Sequence, residues 1–348
     1  MKNIDRINRE YEQKLLNSLK RNQKKVKKIY QKAIDKIFAG VKLPKPKDTF
    51  DITKVPQLNN VVNEVLGVWE SEVMTIIVNG VHEVWGLSDK KIDEILSQYS
   101  AGKAMHPLIQ AALFSRNEEA MQAFLKRTTG KNGLDLSQRV WNYSNQFRYE
   151  IENNLALGIS EGKSAAEIAR DQKKYLVEPE RLFRRIRDFE GKLVLSAAAK
   201  AYKLGQGVYR SSYKNALRLT RTETNIAYRT ADHDRYSRSQ VILGFEVRLS
   251  ASHPRYDICD HLAGQYPKDF KFVGWHPQCL CYTIPVLPSI EEFEKFEDAI
   301  LAGGTYTMKG QIKNVPSNLT KYVKDNADML KRLKGVPYWI KDNNIRLS

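Results

Sequence analysis

The residues best suited to chemistry are three cysteines and three histidines that share one segment in the last third of the chain. In order they are His253, Cys259, His261, His276, Cys279 and Cys281. Thiolates and neutral imidazoles are the ligands that Zn2+ prefers, usually four of them in a tetrahedron. Alternation along a strand would send Cys279 and Cys281 to the same side, and Pro277 would stiffen the turn before them. The segment therefore predicts a structural zinc site.

The ligand set has alternatives. One arm of the site would be Cys259, with His253 or His261 beside it. The other arm would be drawn from the downstream group, His276, Cys279 and Cys281. Isolated cysteines and histidines more often serve as small packing groups and hydrogen-bonded rings. Here every cysteine and four of the six histidines fall between residues 233 and 281, and this concentration favours a metal although paired Cys-x-x-Cys motifs are absent.

A small sheet is expected to frame the cysteine segment. Residues 244–250 alternate apolar and polar side chains, which is typical of a half-buried strand. Two further short strands are expected at 270–273 and 282–286. The chain would thus bring its cysteines together at one edge of a short sheet.

Helical patterns occupy most of the remaining sequence. Residues 2–39 lack Pro and Gly and place apolar residues at helical spacing, which predicts one long amphipathic helix. Ser164 and Glu167 form a capping box at the start of another helix. Ser211 and Ser212 offer caps for a long helix that ends near residue 240. Further helices are expected from residue 58 onward and at 89–99, 104–127, 136–159, 289–302 and 318–334.

These patterns predict a mainly α protein with a helical amino-terminal and middle region and a small, zinc-stapled α+β module towards the carboxyl terminus. Prolines within 41–57 indicate a linker there. The predicted divisions are 1–48 as a basic amphipathic arm, 58–160 as a helical domain, 161–290 as the module with the Cys/His cluster, and 291–348 as a helical tail.

The charge balance indicates a polyanionic partner. The 348 residues include 57 Lys and Arg against 40 Asp and Glu, for a net charge of +17. Residues 1–48 alone hold 15 basic and 5 acidic side chains, so much of the excess lies in the first segment. Nucleic acid or an acidic protein surface would suit this charge, whereas the ordinary alternative is a solvated helix face. The candidate nucleic-acid contacts are Lys24, Lys25, Lys27, Lys28, Arg184, Arg185, Arg218 and Arg221.

Several classes of protein are disfavoured by the sequence. No apolar run approaches the ~18–20 residues of a membrane helix, and no apolar stretch follows the basic start as in a secretory signal, so we expect maturation in the cytosol without membrane contact. An odd, sparse cysteine count argues against a disulfide framework. Phosphate-binding glycine loops, His-Glu-x-x-His and Gly-x-Ser-x-Gly are also absent. We therefore expect a non-enzymatic protein.

One catalytic alternative stays open, a metal nuclease. In it, His253, Asp257 or His261 would activate water or hold a second metal beside a zinc-stabilised fold. A closed four-ligand site leaves no open coordination position, which argues against this alternative. Glu223 is most simply an ion-pair partner of an arginine, either Arg218, Arg221 or one elsewhere in the chain.

An ordered set of motifs resembles the phage head morphogenesis proteins of the Mu F-like minor head type. The set consists of Arg221-Thr222-Glu223 with Asn225 and Ala227, a strand at 244–250, Asp257-x-Cys259-x-x-Leu262-x-Gly264, and His276-Pro277-x-Cys279-x-Cys281 leading to Pro285. The resemblance covers about residues 164–287. Many members carry Cys-x-x-Cys in the first arm, whereas this chain has Tyr256 at the position of the earlier cysteine. His253, His261 and Asp257 are candidates to replace that ligand.

The resemblance implies a low-copy minor head protein of a tailed phage or prophage. Such a protein would lie at the portal vertex or inside the procapsid, contacting the portal protein and the scaffold or major capsid protein. Double-stranded DNA would be a further partner, during procapsid assembly or genome ejection. The chain would be made in the bacterial cytoplasm and end in the virion or procapsid interior.

Overall fold

The fold was analysed in a computed structural model, which describes residues 2–39, 43–44, 50–100, 105–129, 132–179, 185–187, 189–195, 209–253, 255–333 and 335–347. Its first helices are α1 (Lys2–Phe38), α2 (Pro56–Tyr99), α3 (Pro107–Leu113), α4 (Glu118–Lys126), α5 (Leu136–Ser160) and α6 (Ala165–Val177). The later elements are strands β1 (Arg185–Arg187) and β2 (Leu193–Leu195), helix α7 (Ser212–Arg238), β3 (Gly244–Arg248), α8 (Ile258–His261), β4 (Gly264–Tyr266), β5 (Tyr282–Val286), α9 (Ile290–Leu301), α10 (Ser317–Asp325), α11 (Ala327–Arg332) and α12 (Tyr338–Lys341). The prediction of a mainly α protein with a small sheet is confirmed.

The chain divides into two compact units, each built from separate stretches of sequence. The cysteine unit comprises Met1–Leu19, Asn79–Lys131 and Thr222–Ser348. The helical unit comprises Lys20–Val78 and Asn132–Arg221. The divisions predicted from sequence were contiguous, whereas these boundaries fall inside α1, α2 and α7 because each of those helices supplies core residues to both units.

The basic first segment is part of the folded core rather than a separate arm. In the cysteine unit, Ile7 and Tyr11 of α1 pack with Ile95 of α2. In the helical unit, Val26 and Tyr30 of α1 lie in the main apolar cluster. One face of α1 is therefore buried along its length, and its lysines occupy the opposite face.

An aromatic group forms the centre of the helical unit. The Tyr30 ring lies 5.2 Å from Trp69, 4.7 Å from Phe147 and 5.3 Å from Tyr213, measured between ring centroids. These side chains come from α1, α2, α5 and α7, so the group joins four helices. Edge-to-face and tilted contacts of this kind add to the apolar burial of the rings.

A buried carboxyl group fixes the start of α7 within the helical unit. Ser211 caps the helix, since its hydroxyl accepts the backbone N–H of Lys214 at 3.2 Å. Glu150 of α5 accepts the Ser212 backbone N–H at 2.7 Å and the Ser212 hydroxyl at 2.6 Å. Glu150 is buried, and burial raises its pKa to about 8. It is therefore largely protonated at neutral pH.

The cysteine unit is built around the antiparallel sheet β4-β3-β5. In its register, Phe245 of β3 lies opposite Tyr266 and Pro285, and Val247 lies opposite Gly264 and Thr283. A second antiparallel pair, β1 with β2, belongs to the helical unit. The patterns at 244–250 and 282–286 thus predicted two strands of the three-stranded sheet correctly.

The predicted strand at 270–273 is wrong, and β4 takes its place in the sheet. The Asn343 side chain accepts the Lys271 N–H at 2.6 Å and donates to the Lys271 carbonyl at 3.0 Å. One amide side chain therefore satisfies the backbone groups that a neighbouring strand would use. Phe270 and Phe272 are both buried against Trp275.

Three helix predictions also need correction. The stretch predicted at 104–127 forms two helices, α3 and α4, because Asn117 caps the start of α4. The segment 318–334 forms two helices, α10 and α11, which meet at Asn326, whose side chain donates to the Tyr322 carbonyl. The predicted helices after residue 58 and at 89–99 are one continuous helix, α2, of 44 residues. The helix predictions for α1, α6, α7 and α9 are confirmed to within two residues.

The protonation of Glu150 predicts a specific pH dependence. A carboxyl group whose pKa is raised in the folded state stabilises the fold at low pH and loses that contribution as pH rises through the folded pKa. The free energy of unfolding should fall by a few kcal/mol between about pH 5 and about pH 9. Glu150→Gln should abolish most of this fall, because the amide does not ionise: its oxygen can accept the Ser212 N–H and its nitrogen can donate to the Ser212 hydroxyl.

Urea unfolding over this pH range measures the effect. Glu152→Gln is the matched control, since Glu152 lies on the same helix but is partly exposed and pairs with Arg148 at 2.8 Å. Identical pH slopes in the two variants would contradict the assignment to Glu150.

Candidate metal centre

The three cysteines converge at one buried point of the cysteine unit. Their sulfur atoms all lie within 4.8 Å of one another, and Cys259 Sγ is 3.7 Å from Cys279 Sγ. All three are free thiols with at most 1% exposure. Two thiolates on one tetrahedral zinc, each at about 2.3 Å from the metal, would be about 3.8 Å apart. The cluster could therefore hold a metal ion, as the sequence predicted.

Cys259 is positioned by the capping box of the one-turn helix α8. The Asp257 side chain accepts the Cys259 N–H at 2.7 Å, and the Asp260 side chain accepts the Asp257 N–H at 2.7 Å. This reciprocal pair fixes the start of a helix too short to be stable alone. Asp257 and Asp260 thus orient the first cysteine of the site.

The turn His276-Pro277-Gln278-Cys279 brings the second arm to the same place. The Cys279 N–H donates to the His276 carbonyl at 3.1 Å, and Gln278 has a positive φ of 65°. Proline at the second position and a positive φ at the third define a type II turn. The turn places His276 and Cys279 on one side, as a Cys-x-x-Cys knuckle would place two cysteines.

His276 is the histidine best placed to complete the cluster. Its Nε2 lies 3.2 Å from Cys259 Sγ, and its Nδ1 lies 2.9 Å from the Pro277 carbonyl oxygen. A proton on Nδ1, donated to that carbonyl, leaves the Nε2 lone pair facing Cys259 Sγ. Three thiols and one imidazole make up a donor set that suits tetrahedral Zn2+.

The other two candidate histidines have different surroundings. His253 Nε2 lies 3.0 Å from Asp260 Oδ2 and 3.8 Å from Asp257 Oδ1, so it borders the cluster while bonded to the capping box. The structure does not bring His261 into the cluster. Its ring lies between those of Tyr256 and Tyr322, at centroid distances of 5.1 and 5.7 Å.

Helix α7 holds the backbone that carries the second and third cysteines. Asn225 Nδ2 donates to the Cys279 carbonyl at 2.5 Å. The Arg229 guanidinium donates to the Cys279 carbonyl at 2.8 Å and to the Cys281 carbonyl at 2.6 and 3.0 Å. Both side chains are buried. One turn of α7 thus saturates the carbonyl groups on both sides of Leu280.

Arg229 also acts electrostatically on the thiols. Hydrogen bonds from Cys259 and Cys281, together with the nearby Arg229 charge, hold the pKa of the Cys279 thiol well below its usual value. The pKa of Cys259 is raised, because its proton is shared with the other two sulfurs. A buried guanidinium next to three sulfurs offsets the negative charge that a metal-bound thiolate set carries. Arg229 was not identified from the sequence as a residue of the site. Its position four residues after Asn225, on the same face of the helix, was the feature that could have identified it.

Glycine is required where the chain approaches the cysteines most closely. Gly274 has φ +116°, and a Cβ there would lie 3.1 Å from Cys279 Cβ and 3.7 Å from Cys279 Sγ. This backbone region is essentially confined to glycine. Gly274 therefore lets residues 273–276 pass beside the sulfurs.

The candidate nucleic-acid residues are dispersed over the fold. Lys24, Lys25, Lys27 and Lys28 are exposed on α1, and Arg218 and Arg221 are partly buried on α7. Arg184 lies outside the described residues, and Arg185 belongs to β1, where only the backbone is described. The described candidates all belong to the helical unit, whereas the three cysteines belong to the cysteine unit.

Glu223 has the structural role that was expected of it. Its carboxylate pairs with Arg127 Nη2 at 2.6 Å, and it is buried. The partner is an arginine distant in sequence rather than Arg218 or Arg221. The glutamate of the Arg-Thr-Glu motif thus ties α7 to the residue that follows α4.

Substitution of Arg229 should weaken metal binding. Arg229→Met removes the donors to the Cys281 carbonyl, one of the two donors to the Cys279 carbonyl and the positive charge beside the thiols, so we expect metal affinity to fall about 10- to 100-fold, as for other residues that support metal ligands. Competition with a chromophoric chelator measures it. Arg235→Met is the burial-matched control, because Arg235 pairs with Asp89 and Asp93. Equal losses of affinity in both variants would contradict a role specific to Arg229.

Gly274→Ala should destabilise the cysteine unit by roughly 1–3 kcal/mol, because alanine is strained at this φ. Gly86→Ala in the same unit is the matched control, since nothing lies within 4 Å of a Cβ there, and alanine in a helix should raise stability by up to about 1 kcal/mol. Thermal unfolding measures both. A neutral Gly274→Ala would show that the loop can move away from the sulfurs.

Comparisons with known proteins leave the chemistry of the site to be argued from its own residues. No family model, no curated protein and no solved structure matches this chain. No helix in the described part of the chain combines the length and apolar character needed to cross a bilayer.

Proposed function

We propose that this chain is a non-enzymatic minor head protein of a tailed phage or prophage, with a metal-stapled module as its architectural element. The observation that carries the proposal is the contact between the two motifs of the resemblance. Asn225, in the Arg-Thr-Glu helix, donates to the carbonyl of Cys279, in the His-Pro-x-Cys-x-Cys motif. Motifs separated in sequence therefore form one structural unit, as expected if they were retained together.

We propose Zn2+ as the metal, held by Cys259, Cys279, Cys281 and His276. The metal would supply a cross-link between α8 and the segment that leads into β5, in addition to the apolar cluster that contains all three cysteines. Harder ions such as Mg2+ prefer oxygen ligands, whereas three thiols favour a soft or borderline ion. The donor set thus supports zinc in a structural role.

The proposed partners are the portal protein and the scaffold or major capsid protein, with the chain located in the procapsid or virion interior. The exposed lysines of α1 support a further contact with double-stranded DNA. Lys24, Lys25, Lys27 and Lys28 form no ion pair with any described residue, so their charge remains available to a polyanion. The contact would be sensitive to salt because phosphate binding releases counterions.

A second candidate is a metal-dependent DNA-binding or nuclease protein. The observation that favours it is the polar group beside the cysteines, where Asp257 Oδ2 lies 3.4 Å from His276 Nε2 and His253 borders Asp257. Cleavage of plasmid DNA that is lost in His253→Ala and retained in His233→Ala would favour this candidate over a purely structural module.

Metal analysis tests the zinc proposal. Protein purified without chelator should contain about one Zn per chain, with all thiols masked until denaturation and chelation. Cys279→Ser should lose the metal and make the cysteine unit sensitive to protease. Ser289→Ala is the control, because it removes the N-cap of α9 and should cost about 1 kcal/mol without metal loss. Three freely reactive thiols in metal-free parent protein would contradict the proposal.

Co-expression tests the assembly role. With portal, scaffold and major capsid proteins of its own phage, the chain should co-sediment with procapsids at a few copies per particle. Cys279→Ser should reduce incorporation, whereas Ser289→Ala should not. Absence of the parent chain from purified procapsids, with particles otherwise normal, would overturn the proposed function.

A further inference from the structure

Three basic residues form a stripe along the first half of α7. Lys214, Arg218 and Arg221 are spaced at i, i+4 and i+7, which places them on one helix face. All three are partly buried and belong to the helical unit. The residues between them, such as Asn215, Ala216 and Leu219, are buried. The stripe is therefore the more open side of a helix that is otherwise packed.

No acidic group balances this stripe. Among the residues that the structure describes, none forms an ion pair with Lys214, Arg218 or Arg221 within 4 Å. The sequence explains this locally, because residues 191–222 include seven Lys and Arg and no Asp or Glu. Elsewhere in the chain, partly buried arginines have carboxylate partners: Arg127 pairs with Glu223 and Arg148 pairs with Glu152.

Arg221 is the clearest departure from this pairing. Its Nε is buried and has no hydrogen-bond acceptor, and burial lowers the pKa of its guanidinium. A buried donor without an acceptor, on a charged group without a counter-ion, destabilises the isolated chain. An external anion bound at the partly buried guanidinium would supply the missing counter-ion. The guanidinium also offers the planar donor geometry that phosphate oxygens match.

The stripe is long enough to contact more than one phosphate of a DNA strand. Seven residues of helix span about 10 Å, so the three cations lie about 5 Å apart along the axis on average. One strand of DNA carries one phosphate per about 3.4 Å of its axis. The same unit exposes Lys24, Lys25, Lys27 and Lys28, and α1 lies against α7 at the Tyr30–Tyr213 contact.

We propose that Lys214, Arg218 and Arg221 bind the sugar-phosphate backbone of double-stranded DNA, with Arg221 as the recessed anchor for one phosphate. The inference rests on the proposed function only for the source of the DNA. The stripe on α7, rather than the lysine face of α1, fixes the register of the DNA on the protein. It also makes sequence-independent contact the expected mode, because phosphates carry no base information.

Fluorescence anisotropy of the full chain with a labelled 30-base-pair duplex of arbitrary sequence tests this proposal. Arg218→Gln with Arg221→Gln should raise Kd at least about tenfold at low salt and reduce the salt slope by about 1.8, the value for two lost phosphate contacts. Arg332→Gln with Arg346→Gln is the matched control, since both arginines are exposed in the cysteine unit. The control should change Kd less than about threefold.

Equal weakening by the two double variants would overturn the proposal, because it would indicate only a net-charge effect. Parent protein that binds polyglutamate as tightly as the duplex, with the same loss in the stripe variant, would also overturn it in favour of an acidic protein partner. Arg218→Gln alone is a second variant in case the double variant fails to fold, and it should show about half the change in slope. Procapsid incorporation is scored separately, so a chain that enters procapsids without binding DNA refutes this inference and not the proposed function.

Discussion

The structure of the cysteine unit depends on the hydrogen bonds that α7 makes to Cys279 and Cys281, which immediately precede β5, and to Thr283 within it. Asn225 and Arg229 bind the carbonyls of the two cysteines. One turn further, Asp232 accepts the Thr283 hydroxyl at 2.9 Å. Because these side chains recur along one helix face, α7 acts as a template that sets both the position and the direction of the strand.

A buried ion pair also holds α7 in position. Lys91 Nζ lies 2.5 Å from Asp232 Oδ2, and both side chains are 2% exposed. The Ser88 hydroxyl donates to the other oxygen of Asp232. Removing one member of such a pair is costly, since it leaves the other charge buried without compensation. The pair therefore links α2, α7 and β5. The positions of the cysteines thus depend on residues that do not contact a sulfur atom.

Residue types and spacing were sufficient to predict the existence of the metal site but not its full ligand set. Clustering of Cys259, Cys279 and Cys281 was visible in the sequence because few other reasons bring all the cysteines of a chain together. Which histidine completes the site could not be predicted, since this depends on the direction in which each side chain points. His261 ends a single-turn helix that points it towards two tyrosines, whereas a type II turn points His276 towards the thiols.

Helices and strands that follow from the periodicity of apolar residues could be predicted from the sequence. A segment whose conformation is set by a side chain distant in sequence could not. Alternation identified β3, and helical spacing identified α1. The strand expected at 270–273 failed because Asn343, 72 residues later, satisfies the backbone there. The compact units could not be predicted either, because boundaries inside continuous helices leave no mark such as a proline or a change in composition.

The discontinuity of the cysteine unit has a consequence for the order of folding. Asp5 pairs with Arg248, 243 residues away, so the helix that carries Asp5 emerges from the ribosome well before its partner. The apolar face of α1 therefore stays exposed until most of the chain has been synthesised. Such distant contacts slow folding and prolong the exposure of surfaces prone to aggregation. Synthesis of this protein is therefore expected to rely on chaperones or on slow translation more than its helical content alone would indicate.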